Sequence, residues 1–264
     1  MRTELETAIV EFDDETGIAT LTLNRPEALN TLNGQLLEDI VEGLRLLEEQ
    51  NDEVDGVALR AVIIEGAGEK AFCAGADVGG FSDSAGETSS RSALEFLHEF
   101  PTPVIAKIQG YCLGGGLETA FACDFRFASE DSTFGLPEVT LGLLPGAGGV
   151  QYATHIAGPA VAKELAMTGD HFEASWMAEN GLINGVYAAD ELDDEVEAFA
   201  ENLASNAPLA IQSIKKSVDI AQHAGLREGI EFDRNAFGTL LNTDDAKEGG
   251  AAFAEDREPE FEGK

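Results

Sequence analysis

The stretch Tyr111–Ser129, YCLGGGLETAFACDFRFAS, sets three consecutive glycines ahead of a helix-like segment and places Glu118 among apolar neighbours. A buried-strand run, VIAKIQG, leads into those glycines, so strand, Gly-rich turn and helix start follow in order. The first N–H groups of a helix have no intrahelical acceptor. Aided by the helix dipole, they stabilise an anion or a developing oxyanion. Glycine removes the β-carbon that would keep a ligand away from the backbone. Glu118 falls in the first turn, close to the same point. Tight packing plus an acid favourable at a helix N-terminus gives the same pattern, and this stretch alone does not choose between the two.

A second Gly/Ala turn, CAGAD (Cys73–Asp77), also follows an apolar strand-like run and offers another N–H donor. Two donors from separate turns make an oxyanion hole, in which each donor contributes about 3–4 kcal/mol to the transition state. Glu138, in FGLPEVTLGLLPGAGG, is flanked by Pro137, Val139 and Leu141. An apolar pocket raises a glutamate's pKa and keeps it protonated near neutrality; standing alone, Glu138 would equally be a solvent-facing loop residue. Together the pieces point to chemistry on a carbonyl compound. Two N–H donors would hold an enolate-like oxygen while two glutamates move protons or orient water. Paired carboxylates also serve glycoside hydrolysis, but the single tryptophan, Trp176, and the three tyrosines do not flank either glutamate. That reading also leaves the glycine turns unexplained.

Other chemistries find no support. GxxxxGK[ST], HExxH and GxSxG are absent. His98, His155, His171 and His223 are scattered along the chain and read as surface or core residues without acidic partners; Ser213-Ile-Lys215-Lys216 matches SxxK only as part of a helix. Cys73, Cys112 and Cys123 form no CxxC pair or zinc-like cluster and read as small core residues. No metal or cofactor is expected.

The chain carries 50 Asp and Glu against 16 Lys and Arg over 264 residues, a formal net charge of −34. Nucleic acid and anionic membranes bind through Lys and Arg, so neither is an expected partner. The acids are dispersed, as in LLEEQNDEVDG and ADELDDEVEAF. Self-repulsion of this size weakens a fold in dilute buffer and is largely screened at about 1 M salt, where the Debye length is about 3 Å. Adaptation to a salt-rich cytoplasm is the expectation. The acidic, alternating start MRTELETAIVEF is unlike a signal peptide, and no apolar run reaches the roughly 20 residues that cross a bilayer.

The elements that must position these residues are legible in outline. TAIVEF and IATLTLN, separated by DDETG, alternate as a hairpin, and Gly34–Gln50 sets Leu36, Leu37, Ile40, Val41, Leu44 and Leu47 on one helical face. AVIIEG is a buried strand, FSDSAGETSSRSA a small-residue lid or loop, SALEFLHEF a helix stopped by Pro101 and Pro103, and DFRFAS another strand. From Pro159 to Phe253 the pattern is mostly helical, broken at Gly169, Gly185, Pro208 and Gly225. Strand–turn–helix units followed by a helical third predict an α/β fold of stacked units.

The ordered motifs NRPEALNTL, AFCAGADV, PVIAKIQGYCLGGGLE, CDFRFAS, FGLPEVTLGLLPGAGG and MTGD…GLIN resemble the crotonase, or enoyl-CoA hydratase, superfamily nearly end to end. The resemblance implies a spiral of ββα units over 1–196, a helical trimerisation region over 197–264, and a homotrimer or dimer of trimers. By position, Ala76 and Gly115 match the two backbone donors to a thioester oxygen. Glu118 and Glu138 match the two catalytic glutamates. The resemblance further implies CoA and substrate contacts at Arg25, Ala28, Ala74, Asp77, Val78 and Gly114. With both glutamates present, the implied activity is hydration of trans-2-enoyl-CoA to 3-hydroxyacyl-CoA in fatty acid or amino acid degradation. CoA enters as part of the substrate. The alternatives are an enoyl-CoA isomerase or a non-catalytic acyl-CoA-binding subunit. Departures from the family pattern fall at Glu27 and Gly79, where relatives often carry lysine, and at GAGGVQYA in place of GAGGTQRL.

Overall fold

The computed structural model describes the backbone of residues 1–77 and 85–264 and the side chains of these residues other than 52, 53 and 85–91. Strands β1 (Arg2–Glu4), β2 (Ala8–Phe12) and β3 (Ile18–Leu23) form an antiparallel meander, in which β2 and β3 are the expected hairpin. Helix α1 (Gly34–Glu48) starts at Asn33, whose side chain accepts from Leu36 N at 2.8 Å, as an N-cap should. Its predicted stripe is the face that packs into the core.

A ββα unit then recurs. It appears as β4 (Ala61–Gly66), β5 (Ala71–Cys73) and α2 (Ala85–Glu99), then as β6 (Val104–Ile108), β7 (Tyr111–Leu113) and α3 (Gly115–Ala122). The third unit is β8 (Phe125–Ser129), β9 (Thr133–Gly135) and α4 (Gly149–Met167). The first strand of each unit joins one parallel sheet in the order β4-β6-β8, and the second joins another in the order β5-β7-β9. Each unit therefore advances one strand along both sheets, which makes a spiral. After α4 come β10 (Phe172–Glu173), at the edge of the smaller sheet, then α5 (Ala174–Glu179) and β11 (Gly185–Tyr187), which closes the larger one.

The uninterrupted apolar character of β4 follows from burial on both sides. Val62 and Ile64 face the main core with α1 and α2, whereas Ile63 faces a smaller cluster with Leu192, Val196 and Ala200 of α6 (Leu192–Ala204). The boundary expected after residue 196 lies inside α6, whose buried side chains belong to that cluster. Beyond it, α7 (Pro208–His223), α8 (Leu226–Leu240) and α9 (Asp244–Glu255) attach largely through polar ties. Lys215 Nζ of α7 meets Asp124 Oδ2 at 2.7 Å, and Arg60 Nη2 donates to Phe261 O at 2.7 Å.

One expectation is corrected. The segment read as a lid or loop, FSDSAGETSSRSA, is helical from Ala85 onward, because Ala93, Leu94 and Leu97 of the same helix are buried against the core; its residues 81–84 lie outside the described set. The region from Pro159 to Phe253 is mostly helical as expected, with β11 at the Gly185 break; α4 starts earlier, at Gly149, and kinks at Gly158 (φ 83°, ψ 169°).

Candidate active site

The CAGAD turn is held by the loop between β3 and α1. Leu32 N donates to Gly75 O at 2.9 Å and Asp77 N donates to Leu32 O at 2.8 Å. In an extended strand, alternate residues present their N–H groups to opposite sides. Ala76, lying between those two bonds, therefore turns its own N–H away from Leu32. Gly75, at φ +111°, makes the turn possible.

The three glycines divide the work. Gly114, at φ 51° and ψ −125°, occupies backbone space reserved for glycine, and a β-carbon there would lie 3.0 Å from Glu138 Oε1. Gly115 is the first residue of α3, so its N–H has no intrahelical acceptor. A β-carbon on it would sit 3.6 Å from Ala76 N, in the space between the two turns. Gly116 is a packing residue: a β-carbon would be 2.1 Å from Cys73 O. The packing reading of this motif holds for Gly116, and Gly115 is the glycine that leaves a helix-start N–H without an intrahelical acceptor.

Glu118 is only 4% exposed. Its Oε1 accepts from Ala147 N and Gly149 N, both at 2.8 Å. Gly149 is the first residue of α4, so Glu118 lies on the N-termini of two helices. Burial pushes its pKa above the ordinary value, and the two N–H donors oppose that. Glu138, in the 3-10 turn Pro137–Leu141, has its pKa pushed up to about 7 by burial first; its own backbone N–H opposes the shift and the charge of Glu118 adds to it. Among the described residues, Glu138 Oε2 is buried without a hydrogen-bond partner. Both carboxyl groups are thus raised above the ordinary value by burial, and they differ in their donors: the Ala147 and Gly149 N–H groups favour the Glu118 anion, while Glu138 is pushed up to about 7.

The remaining predicted residues separate. Ala28 ends a 3-10 turn beside the CAGAD loop, and Ala74 N donates to Leu29 O at 3.0 Å. Arg25 reaches Asp77 Oδ2 at 3.2 Å and donates to Thr31 O, so its guanidinium is engaged within the protein. Val78 lies outside the described residues. Sequence reasoning missed the clamp from Ala147 and Gly149 on Glu118; the glycine cluster GAGG is the only trace it leaves. It also missed Leu32 and Asn30, which is buried and donates to Ala67 O and Ala71 O at 3.1 and 2.8 Å. The histidines are less isolated than expected, since His98 Nε2 comes within 4.0 Å of Asp219 on α7. The cysteines are buried, with the Cys73 and Cys123 thiols pushed up to about 12. Among the described residues, no cluster of His, Cys, Asp and Glu could hold a metal ion, and no helix is long and apolar enough to cross a membrane.

Residues 13–264 match the sequence profile of the Enoyl-CoA hydratase/isomerase family. The chain belongs to that family. It is 38% identical over 260 residues to a probable enoyl-CoA hydratase of Mycobacterium tuberculosis, covering 97% of this chain and 98% of that protein. It is 36% identical over 262 residues to the crotonyl-CoA hydratase of Syntrophomonas wolfei, with the same two coverages. The crystal structure of an enoyl-CoA hydratase from Bacillus anthracis superposes with a TM-score of 0.91 at 35% identity, covering 98% of this chain and all of that one. The α/β spiral is therefore the family's fold.

Proposed function

We propose that the protein is an enoyl-CoA hydratase, a hydro-lyase that adds water across the double bond of a trans-2-enoyl-CoA. The observation that carries the mechanism is the contrast between the two glutamates beside the Ala76 and Gly115 amides: Glu118 has two N–H donors, and Glu138 Oε2 has none among the described residues. The thioester oxygen accepts from both amides, which draws electron density from the β-carbon. Ionised Glu118 takes a proton from water as the water oxygen bonds to that carbon. The alkene electron pair moves to form the enolate, whose charge the two amides stabilise. Protonated Glu138 delivers its proton to the α-carbon. One proton then passes from Glu118 back to Glu138, restoring the starting state. CoA leaves as part of the 3-hydroxyacyl thioester, and no further cofactor takes part.

Crotonyl-CoA incubated with the enzyme in water enriched in heavy oxygen should give a 3-hydroxyacyl thioester carrying the label. An unlabelled isomer with a shifted double bond, from a substrate long enough to form one, would replace this reading with an isomerase. Binding without turnover would replace it with a thioester-binding subunit.

Two features extend the reading. Helix α8 has no buried residue, Leu226 on it is 83% exposed, and Phe253 on α9 is 91% exposed. Such apolar side chains fit contacts with further copies of the chain in a homo-oligomer, a trimer or dimer of trimers, and light scattering would settle the count by returning a multiple of the 27.9 kDa chain. The net charge of −34 fits a protein that works in a salt-rich cytoplasm.

A further inference from the structure

The loop between β3 and α1 runs beside the CAGAD turn along a seam of backbone hydrogen bonds at Leu29, Leu32, Ala74, Gly75 and Asp77. The Arg25 side chain crosses that seam. Arg25 Nη1 donates to Thr31 O on the near side, and Nη2 meets Asp77 Oδ2 at 3.2 Å on the far side. The Arg25 side chain is 15% exposed and that of Asp77 40%, so the pair is shielded from water on the arginine side. The loop carrying Arg25 is itself locked: Asn30, at φ 54°, accepts from Arg25 N at 2.9 Å and donates to Ala71 O on β5. Asp77 directly follows Ala76, whose amide is one half of the oxyanion hole. A donor aimed in advance at a developing charge needs no reorganisation during reaction, and small misplacements of such groups are costly in rate.

We propose that Arg25 is a positioning residue for the oxyanion hole: through Thr31 and Asp77 it fixes the aim of the Ala76 N–H, and it does not serve as a phosphate contact for CoA. This rests on the hydratase reading, because it assigns Ala76 N–H to the thioester oxygen. Arginine suits the task because its planar fork reaches two acceptors at once, which lysine cannot reproduce.

The test compares wild type, Arg25→Gln and Arg25→Lys on crotonyl-CoA and on crotonyl-pantetheine, which lacks the nucleotide phosphates. Arg25→Gln should lower kcat on both thioesters by the same factor, about 10- to 100-fold, with a smaller change in KM. It should also reduce the red shift that a conjugated dienoyl thioester shows when its carbonyl is polarised in the site. Arg25→Lys should recover part of both. A loss confined to KM for the CoA substrate, and absent with the pantetheine thioester, would overturn the proposal in favour of a phosphate contact. An unchanged red shift would overturn it too. If Arg25→Gln does not fold, Asp77→Asn at the more exposed partner reads the same two quantities, and wild-type values there are equally decisive against it. A wild-type enzyme that neither hydrates nor red-shifts any thioester would instead remove the hydratase reading, and this inference with it.

Discussion

Glu118 and Glu138 share one site but not one hydrogen-bond environment. Glu118 Oε1 takes two backbone N–H groups at 2.8 Å, one of them from the first turn of α4, while Glu138 Oε2 is buried without a partner among the described residues. Two adjacent carboxyl groups placed this differently can divide the work of a base and an acid, which is the division proposed for them.

The pH profile should report this separation. Glu138 must be protonated to act as the acid, so kcat/KM should fall as pH rises through about 7, where its raised pKa lies. The limb should vanish in Glu138→Gln, leaving a low, flat residual rate. Stability should move in a related sense. The folded pKa of Glu138 lies above its ordinary 4.5, so its contribution is fully present below that value and is lost as pH rises through about 7. Glu138→Gln should therefore be more stable than wild type above about pH 8, by on the order of 1 kcal/mol once solvent screening at this half-buried group is allowed for. Thermal melts at two pH values check the sign.

The glycine triplet should dissociate rate from stability. Gly115→Ala places a methyl group in the oxyanion hole against the movable end of Leu32, and should cost about 100-fold in kcat with little change in melting. Gly116→Ala drives a methyl into the Cys73 carbonyl and should cost about 1–3 kcal/mol of stability. Gly114→Ala should lose both, because its backbone conformation is strained for any other residue and its β-carbon would crowd Glu138. Melting curves and initial rates on the three variants decide between these assignments.

How far the sequence speaks follows from the range of each interaction. The β2–β3 hairpin, the α1 stripe and the strand-to-glycine turns depend on neighbours in sequence, and all were legible. The glycine at each turn marks where the backbone must bend or lie bare, which is why Gly115 and Glu118 stood out. What failed depends on distant partners. The Ser- and Thr-rich start of α2 has weak local helix preference, yet Leu94 and Leu97 are buried in the core and set its conformation. Arg25 shows no sign of its pairing with Asp77, 52 residues away, and Glu118 shows none of its clamp from Ala147 and Gly149.

Helix α7 is tied to the core by a shielded ion pair. Its only buried residue is Pro208, and Lys215 reaches Asp124, which also accepts from Val104 N at 2.7 Å. Lys215→Met should leave Asp124 desolvated and unpaired, costing about 3–5 kcal/mol. Denaturant unfolding measures the loss, which should shrink when Asp124→Asn is added in the same chain.

The acid excess should make the fold salt-dependent. With a formal charge of −34, the melting temperature should climb steadily from dilute buffer to about 2 M KCl, as the screening length drops below the spacing of surface charges. A melting temperature independent of KCl would contradict the proposed adaptation to salt.

Glu118 and Glu138, beside the Ala76 and Gly115 amides, are the groups proposed to hydrate an enoyl thioester. The most direct measurement follows the ultraviolet absorbance of the conjugated thioester in crotonyl-CoA, in multimolar KCl, with wild type, Glu118→Gln and Glu138→Gln. Rapid loss of absorbance with wild type, slowed about 100-fold or more in each variant, is the predicted result. Turnover equal to wild type in either variant, or no loss of absorbance by a wild-type enzyme that binds crotonyl-CoA, would contradict it.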